Sequence, residues 1–274
     1  KIFKWQTQEF GQCSVIKCNA CGLLYRDPMP LQGALEEEYQ ENFFKDYQQY
    51  YGNFRNKQYE RYMDILDDLC PSKGKVLDVG CAFGAFLSIA QDHGWDALGF
   101  DISKYAQRKA KEIHGLDIFT GDTLKDLKLE GESVDLVTMW DVLEHLADPI
   151  DTLKEVRKIL KTGGLVLIKV PNANEIFFNI VKMVYSLTGD RFLTIGPRFD
   201  HHLYHYTVRS IYLLLEKMGF RIVKTIMDPE NLVIDDRKTA GSFIKATVKK
   251  AIKGLEIMLP GSRSSIVVLA EKTD

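Results

Sequence analysis

The chain has 274 residues, which at roughly 150 residues per domain falls between one domain and two. Its formal charge is −2, so neither a basic excess that would advertise nucleic acid nor an acidic excess typical of a solvated tail is present. Thirty aromatic residues (15 Phe, 12 Tyr, 3 Trp) exclude disorder as a whole-chain description, and no apolar run is long enough for a membrane-spanning helix.

Residues 1–30 read as a small irregular module that carries Cys18-Asn19-Ala20-Cys21-Gly22 and stops at Pro28-Met29-Pro30. Residues 31–70 read as a helical cap, amphipathic from Tyr59 to Leu69. From Lys75 short apolar runs alternate with helical periods. The runs are Val76–Val79, Ala97–Phe100, Asp117–Phe119, Val134–Val137 and Leu165–Ile168, with helices near 84–93, 103–114 and 149–160. This alternation predicts an α/β fold with a doubly wound, mostly parallel sheet whose strands are buried on both faces. Beyond Pro171 come an aromatic-rich segment, Ile176 to Leu193, and a histidine-rich one, Arg198 to Thr207. A helix over Val208 to Met218 and strands over Phe220 to Ile226 and Ile266 to Ala270 complete the expectation. The main domain is expected over 71–274, with a lid at 172–207 and an insertion at 235–263.

The most informative stretch is Val76-Leu77-Asp78-Val79-Gly80-Cys81-Ala82-Phe83-Gly84, a strand running into a glycine loop and then a helix. That geometry places a ligand at the helix N-terminus, at the carboxyl edge of the sheet. Aligned on Gly80, the dinucleotide pattern G-x-G-x-x-G finds Ala82 and Ala85 at its second and third glycines. The glycine that lets backbone approach a pyrophosphate is missing, which counts against a nicotinamide or flavin enzyme. Asp101 follows 21 residues after Gly80, at the end of the second strand, where an acid accepts hydrogen bonds from ribose hydroxyls.

These residues resemble the class I S-adenosylmethionine-dependent methyltransferases, whose first motif is an acid-x-Gly-x-Gly-x-Gly loop. Asp78, Gly80 and Gly84 match, and Ala82 stands at the central glycine. The resemblance implies S-adenosylmethionine as cofactor, contacted by Asp78, Gly80, Cys81, Gly84, Asp101, Ile102, Asp122, Thr123 and Trp140. Within that set Asp122 would meet the adenine amino group and Trp140 would lie near the adenosyl group. Each acid alone reads better as a helix N-cap at a strand-to-helix turn. Four matches in order at consecutive strand ends favour the family, over roughly residues 60–175.

After Trp140 comes Asp141-Val142-Leu143-Glu144-His145, where spacings of three and four put both carboxylates and the imidazole on one face of a helical turn. His201, His202 and His205 follow downstream. Three readings compete. His145 or His202 is a general base with Glu144 beside it; Asp141, Glu144, His145 and His202 bind a divalent cation such as Mg²⁺; or Glu144 and His145 orient the loop and cap the helix that begins near Pro149. The cluster is similar to that of quinone-pathway O-methyltransferases and small-RNA 2′-O-methyltransferases.

An odd count of five cysteines argues against a disulfide framework and for a reducing, cytoplasmic setting. Cys18-x-x-Cys21-Gly22 looks like one knuckle of a zinc ribbon, an incomplete set because such sites need four ligands. Cys13 is at best a third, and unliganded thiols are the competing reading. The chain starts at Lys1, so an upstream natural N-terminus is expected.

On the acceptor side, Tyr39, Tyr47, Tyr50 and Tyr51 can stack on a sugar or ring, and Phe177 to Tyr185 forms an apolar cover. A basic amphipathic helix at 244–255 would pack on its own domain, serve a homodimer or touch a membrane surface. No nucleic-acid partner is expected. The resemblance to bacterial small-molecule O-methyltransferases implies methyl transfer to a hydroxyl, with a sugar or glycan intermediate of polysaccharide biosynthesis ahead of a quinone or lipid. The rival classes are a silent cofactor-binding partner protein and an NAD-dependent oxidoreductase.

Overall fold

A computed structural model describes residues 2–6, 12–29, 41–173, 202–228 and 265–274, with side chains at 14–29, 55–173, 202–228 and 265–274. The cover at 176–193, His201 and the basic helix at 244–255 lie outside the described residues, as do most of the lid and the insertion at 235–263.

The chain divides into two compact units. One comprises Lys1–Pro28, Val170–Leu213 and Thr225–Val267; the other comprises Met29–Lys169, Leu214–Lys224 and Val268–Asp274.

The first unit is built on a four-stranded sheet, β1 (Ile2–Gln6), β2 (Gln12–Lys17), β3 (Leu24–Asp27) and β9 (Tyr204–His205), in the order β1-β2-β3-β9. All its pairings are antiparallel. Residues 1–30 were expected to be irregular, and they form three of these strands. The sequence signal is weak because the strands are short and β3 completes its ladder on residues about 180 positions later, Leu24 against His205 and Tyr25 against Tyr204. Alternation is nonetheless visible in β3, where Leu24 and Arg26 are buried and Asp27 is exposed.

The second unit follows the expected alternation. Helix α1 (Glu41–Leu69) leads to β4 (Lys75–Val79), α2 (Ala85–Asp92), β5 (Asp96–Asp101), α3 (Lys104–His114) and β6 (Phe119–Thr120). Then come β7 (Val134–Trp140), α4 (Pro149–Ile159) and β8 (Leu160–Pro171); α5 (Val208–Lys217), β10 (Phe220–Asp228) and β11 (Ser265–Lys272), whose residues are divided between the two units, complete the described elements. The seven-stranded sheet has the order β10-β11-β8-β7-β4-β5-β6. The pairs β4–β5, β4–β7, β5–β6 and β7–β8 are parallel, and the order reverses at β4. A reversal of this kind opens a crevice beyond the carboxyl ends of the strands.

Local chemistry explains the element ends. Ser103 caps α3 by accepting a hydrogen bond from the Ala106 amide at 3.3 Å, and Gly115 closes the helix at φ 70°. Asp148 caps α4 through the Asp151 amide at 2.9 Å, with Pro149 at the first helical position. The central strands read as unbroken apolar runs because both of their faces are covered. Val76, Leu77, Leu136, Val137, Val166, Leu167 and Ile168 are all fully buried.

Helix α1 buries Tyr59, Tyr62, Met63 and Leu66, the i, i+3, i+4, i+7 stripe of an amphipathic helix. Its last turns are tied to the end of α2 by polar contacts. His93 directs Nδ1 to Asp67 at 2.7 Å and Nε2 to Glu60 at 3.2 Å, while the Trp95 indole donates to Asp67 at 3.4 Å and Lys73 pairs with the same carboxylate. The Asp67 hydrogen bond, with Glu60 adding to it, holds the His93 pKa above the ordinary histidine value against the smaller effect of burial. A group whose folded pKa is raised stabilises fully below its unfolded pKa, about 6.5, and loses that contribution as pH rises through the folded value. His93→Gln is therefore expected to melt lower than the parent at about pH 6 and to converge on it in more alkaline buffer. Thermal unfolding of both proteins across that range measures the effect, and a gap independent of pH would remove it.

Candidate active site

The loop between β4 and α2 gains its shape from hydrogen bonds that run back into the protein. The amides of Gly80 and Cys81 both donate to the Phe100 carbonyl, at 2.8 and 3.1 Å, and the Gly84 amide donates to the Cys81 carbonyl at 2.9 Å. The Ala82 amide donates to Asp101 Oδ2 at 2.9 Å. Four loop amides are thereby used internally, which is the opposite of a phosphate cradle, where such amides point at the anion.

Gly80 has φ 71°, and a Cβ there would lie 2.5 Å from Val142 Cγ2, so glycine is required on both conformational and steric grounds. Ala82, at the family's central glycine, has φ 48°. Alanine keeps the left-handed backbone at a cost of roughly 1–2 kcal/mol, which accounts physically for how the loop accommodates the departure.

Two acids flank the loop. Asp78 is buried, and its Oδ1 accepts a hydrogen bond from the Thr138 hydroxyl at 2.7 Å. Burial pushes its pKa up to about 8 despite that hydrogen bond, and the Asp101 charge adds to the rise. Asp101 spends Oδ2 on Ala82 and Oδ1 on the Ser103 amide at 2.9 Å. Burial raises its pKa to about 6 against the pull of those two amides. Asp101 thus joins the glycine loop to the start of α3, and its remaining lone pairs are available to a ligand hydroxyl.

The other expected cofactor residues occupy varied settings. Cys81 is buried among Leu87, Ala110, Leu116 and Ile118, with burial holding its thiol well above the usual range, so only its backbone serves the loop. Ile102 is exposed beside Asp101, as is Asp122 after β6. Thr123 is engaged in a capping box with Asp126, its amide donating at 2.9 Å and its hydroxyl at 3.3 Å. Trp140 is buried at the end of β7. Its ring is 5% exposed and enclosed by Tyr59, Tyr62 and Phe86 at centroid distances of 5.0, 5.4 and 5.4 Å. Its contacts with Tyr59 and Tyr62 seat helix α1.

The turn after β7 also differs from a helical face. Asp141 has φ 55°, and only Leu143–His145 form a short 3₁₀ turn, so Asp141 lies outside the helical repeat shared by Glu144 and His145. Its carboxylate accepts from Lys169 Nζ at 2.6 and 2.8 Å and pairs with Arg55 at 2.7 Å. Burial opposes the charge on Asp141, and Lys169 followed by Arg55 overcomes it, holding the pKa below the ordinary carboxylate range. Asp141 is thus committed to two cations and does not fit the role of metal ligand. Glu144 is fully buried, with its Oε1 4.0 Å from His145 Nε2. These two side chains form the carboxylate–imidazole pair next to the end of β7. His202 belongs to the other unit, where its ring lies 5.4 Å from that of His205.

Arg55, Thr138 and Lys169 escaped the sequence reading. Lys169 had a usable signal: a lysine inside the apolar run Leu165–Val170 of a doubly covered strand demands a counter-charge.

In the antiparallel unit, Cys18 and Cys21 occupy the turn between β2 and β3. The Cys18 amide donates to the Leu23 carbonyl at 2.8 Å, and the Gly22 amide, at φ 81°, donates to the Cys18 carbonyl at 3.0 Å. Backbone amides of Cys21 and Ala20, then the Cys21 thiol, lower the Cys18 pKa. A turn of this kind favours the thiolate form of Cys18. The Cys13 side chain lies outside the described residues.

Comparison with known proteins agrees with this geometry. Residues 51–225 match the family model described as a methyltransferase domain. A ubiquinone biosynthesis O-methyltransferase of Cereibacter sphaeroides is 35% identical over 186 residues, 64% of this chain and 73% of that one. A protein of the same name from Aliivibrio fischeri is 29% identical over 136 residues, 46% of this chain and 55% of that one. The chain spans about half the length of several curated relatives it matches. Among solved structures, an S-adenosylmethionine-dependent methyltransferase from Archaeoglobus fulgidus superposes with a TM-score of 0.58 at 20% identity, covering 85% of this chain and all of that one, a likeness of fold. The sheet is the Rossmann-like sheet of class I methyltransferases. The chain belongs to the methyltransferase-domain family.

The buried acid of the loop generates a prediction. Unfolded Asp ionises near 3.9, whereas folded Asp78 holds its proton up to about pH 8, so the fold gives up stability as pH climbs between those values. Asp78→Asn keeps the acceptor for Thr138 and removes this loss. It is expected to melt higher than the parent above about pH 8, to converge on it near pH 4, and to bind S-adenosylhomocysteine more weakly. Melting curves and calorimetry test both halves, and a variant less stable than the parent in alkaline buffer would refute the burial argument.

Proposed function

We propose that this protein transfers the methyl group of S-adenosylmethionine to an oxygen of a small-molecule acceptor. The observation that carries the reading is the glycine loop whose amides turn inward while the buried carboxylates of Asp78 and Asp101 line its two sides. Such a site suits a ligand with ribose hydroxyls and a positively charged sulfonium, and no phosphate. A dinucleotide would need the amides that Gly80, Cys81, Ala82 and Gly84 spend elsewhere.

In the reaction, a lone pair of the acceptor oxygen forms the new O–CH₃ bond as the S–CH₃ bond breaks, leaving S-adenosylhomocysteine and a proton. Holding the two centres in line supplies most of the acceleration. His145 takes the proton, and Glu144 beside it orients the imidazole. A divalent cation on Glu144 and His145 is the second reading; it would lower the acceptor's pKa, but with Asp141 engaged it lacks one of its expected ligands. The names of the relatives favour a quinone-type phenolic hydroxyl over the sugar acceptor. A phenol also needs less help to ionise, which matches a single histidine as base.

The test is methyl transfer from labelled S-adenosylmethionine to a panel of catechol-type and sugar hydroxyls. Turnover is expected on the phenolic set, and His145→Ala is expected to lose about 10²–10⁴-fold in rate while retaining cofactor affinity. Turnover confined to sugars would reverse the acceptor assignment. Cofactor binding without turnover on any acceptor would favour the silent-partner class. A rate that falls with a chelator and returns with Mg²⁺ would favour the cation.

Zinc on Cys18 and Cys21 is a separate proposal, supported by the thiolate-favouring turn. Elemental analysis of purified protein is expected to find zinc that Cys18→Ser releases, and zinc-free parent protein would refute it.

A further inference from the structure

The cluster formed by Arg55, Asp141 and Lys169 lies outside the chemistry assigned above, yet it occupies the cofactor edge of the sheet. Asp141 is the first residue past β7 and stands in the left-handed backbone region, where a non-glycine residue persists only if its surroundings hold it. Two contacts do so from β8. The Asp141 amide donates to the Lys169 carbonyl at 3.0 Å, and both carboxylate oxygens accept from the Lys169 ammonium. Lys169 is fully buried and Arg55 is 8% exposed, so the three charges are largely out of water.

Arg55 brings in a different element. It lies one helical turn before Tyr59 on α1, and Tyr62 follows, so one stripe of the helix meets Asp141, Trp140 and Phe86 in succession. Phe86 opens α2 just after Gly84, and Trp140 ends the strand beside β4. The Arg55 charge also reaches Asp78 at the head of the glycine loop. Helix α1 is therefore fastened along the cofactor edge by an aromatic contact and an ionic one. The two differ in kind. Aromatic contact scales with area and tolerates small shifts, whereas a desolvated ion pair is directional and is lost when either partner goes.

We propose that Asp141 is a positioning residue whose ion pair with Arg55, anchored by Lys169, latches helix α1 over the cofactor loop and limits how fast the cofactor exchanges. The latch rests on the S-adenosylmethionine reading given above.

Stopped-flow release of S-adenosylhomocysteine, with a thermal melt of each protein, tests it. Arg55→Gln and Asp141→Asn are each expected to speed release about tenfold, as expected when one member of a buried charge pair is neutralised. Arg55→Lys should restore part of the slow release. The double variant should release no faster than the faster single one, because both remove the same pair. A merely structural cluster predicts lower melting temperatures with release unchanged. Release within about twofold of the parent in folded Arg55→Gln would overturn the latch. That variant leaves the Lys169–Asp141 pair in place, so it decides the question even if Asp141→Asn does not fold. Parent protein that fails to bind S-adenosylhomocysteine would overturn the cofactor reading and the latch together; parent binding with unchanged variant rates overturns the latch alone.

Discussion

The hydrogen bonds from Gly80 and Cys81 to the Phe100 carbonyl, with that from Ala82 to Asp101, are the constraint on which the cofactor edge depends. They fold the segment after β4 back against β5, and in doing so set the start of α2 and the orientation of Asp101. Asp101 then reaches the Ser103 amide and so fixes the start of α3. A single turn therefore coordinates two strand ends and two helix starts. The required backbone is left-handed at Gly80, Ala82 and Gly84, and Gly99 admits the close approach of Leu87 and Cys81 that lets α2 lie on the sheet.

The same edge concentrates buried charge. Asp78, Asp101, Asp141, Glu144, Arg55 and Lys169 are all on the second unit and all within its interior or at its boundary. Burying so many ionisable groups is tolerable because they are hydrogen-bonded or paired, as Asp141 is with two cations and Asp101 with two amides. Asp78 differs, since burial raises its pKa to about 8 and its Oδ1 accepts a hydrogen bond from the Thr138 hydroxyl. Sites that perform chemistry routinely carry this kind of electrostatic cost.

Much of the second unit was legible in its residues. The apolar runs at 76–79, 97–100, 134–137 and 165–168 became β4, β5, β7 and β8, since strands covered on both faces leave an unambiguous local signature. The glycine loop was equally legible, because positive φ and steric exclusion select glycine by physical necessity. What was hidden depended on distance along the chain. Nothing near Asp141 announces that Lys169 and Arg55, 28 and 86 positions away, will claim its carboxylate, and the left-handed turn that removes it from the 143–145 repeat is set by that claim. The burial of Trp140 was hidden for the same reason, since it depends on tyrosines contributed by α1. The strands of residues 1–30 were hidden by their pairing with β9.

Strand β6 has only two residues, yet among the described elements it is the outermost strand beside β5. Open sheet margins invite strands from neighbouring molecules to add on, the first step toward ordered aggregates. A two-residue strand presents few unpaired amides and carbonyls of its own, and among the described residues it pairs only with Phe100 and Asp101 of β5. The opposite margin, β10, carries Arg221 and Lys224 with Arg221 paired to Glu271, and ladders lined with charge also resist intermolecular growth. Among the described elements the sheet that holds the chemistry is thus bounded by a very short strand on one side and a charge-bearing one on the other, a feature of strand length and charge placement that is independent of the cofactor edge.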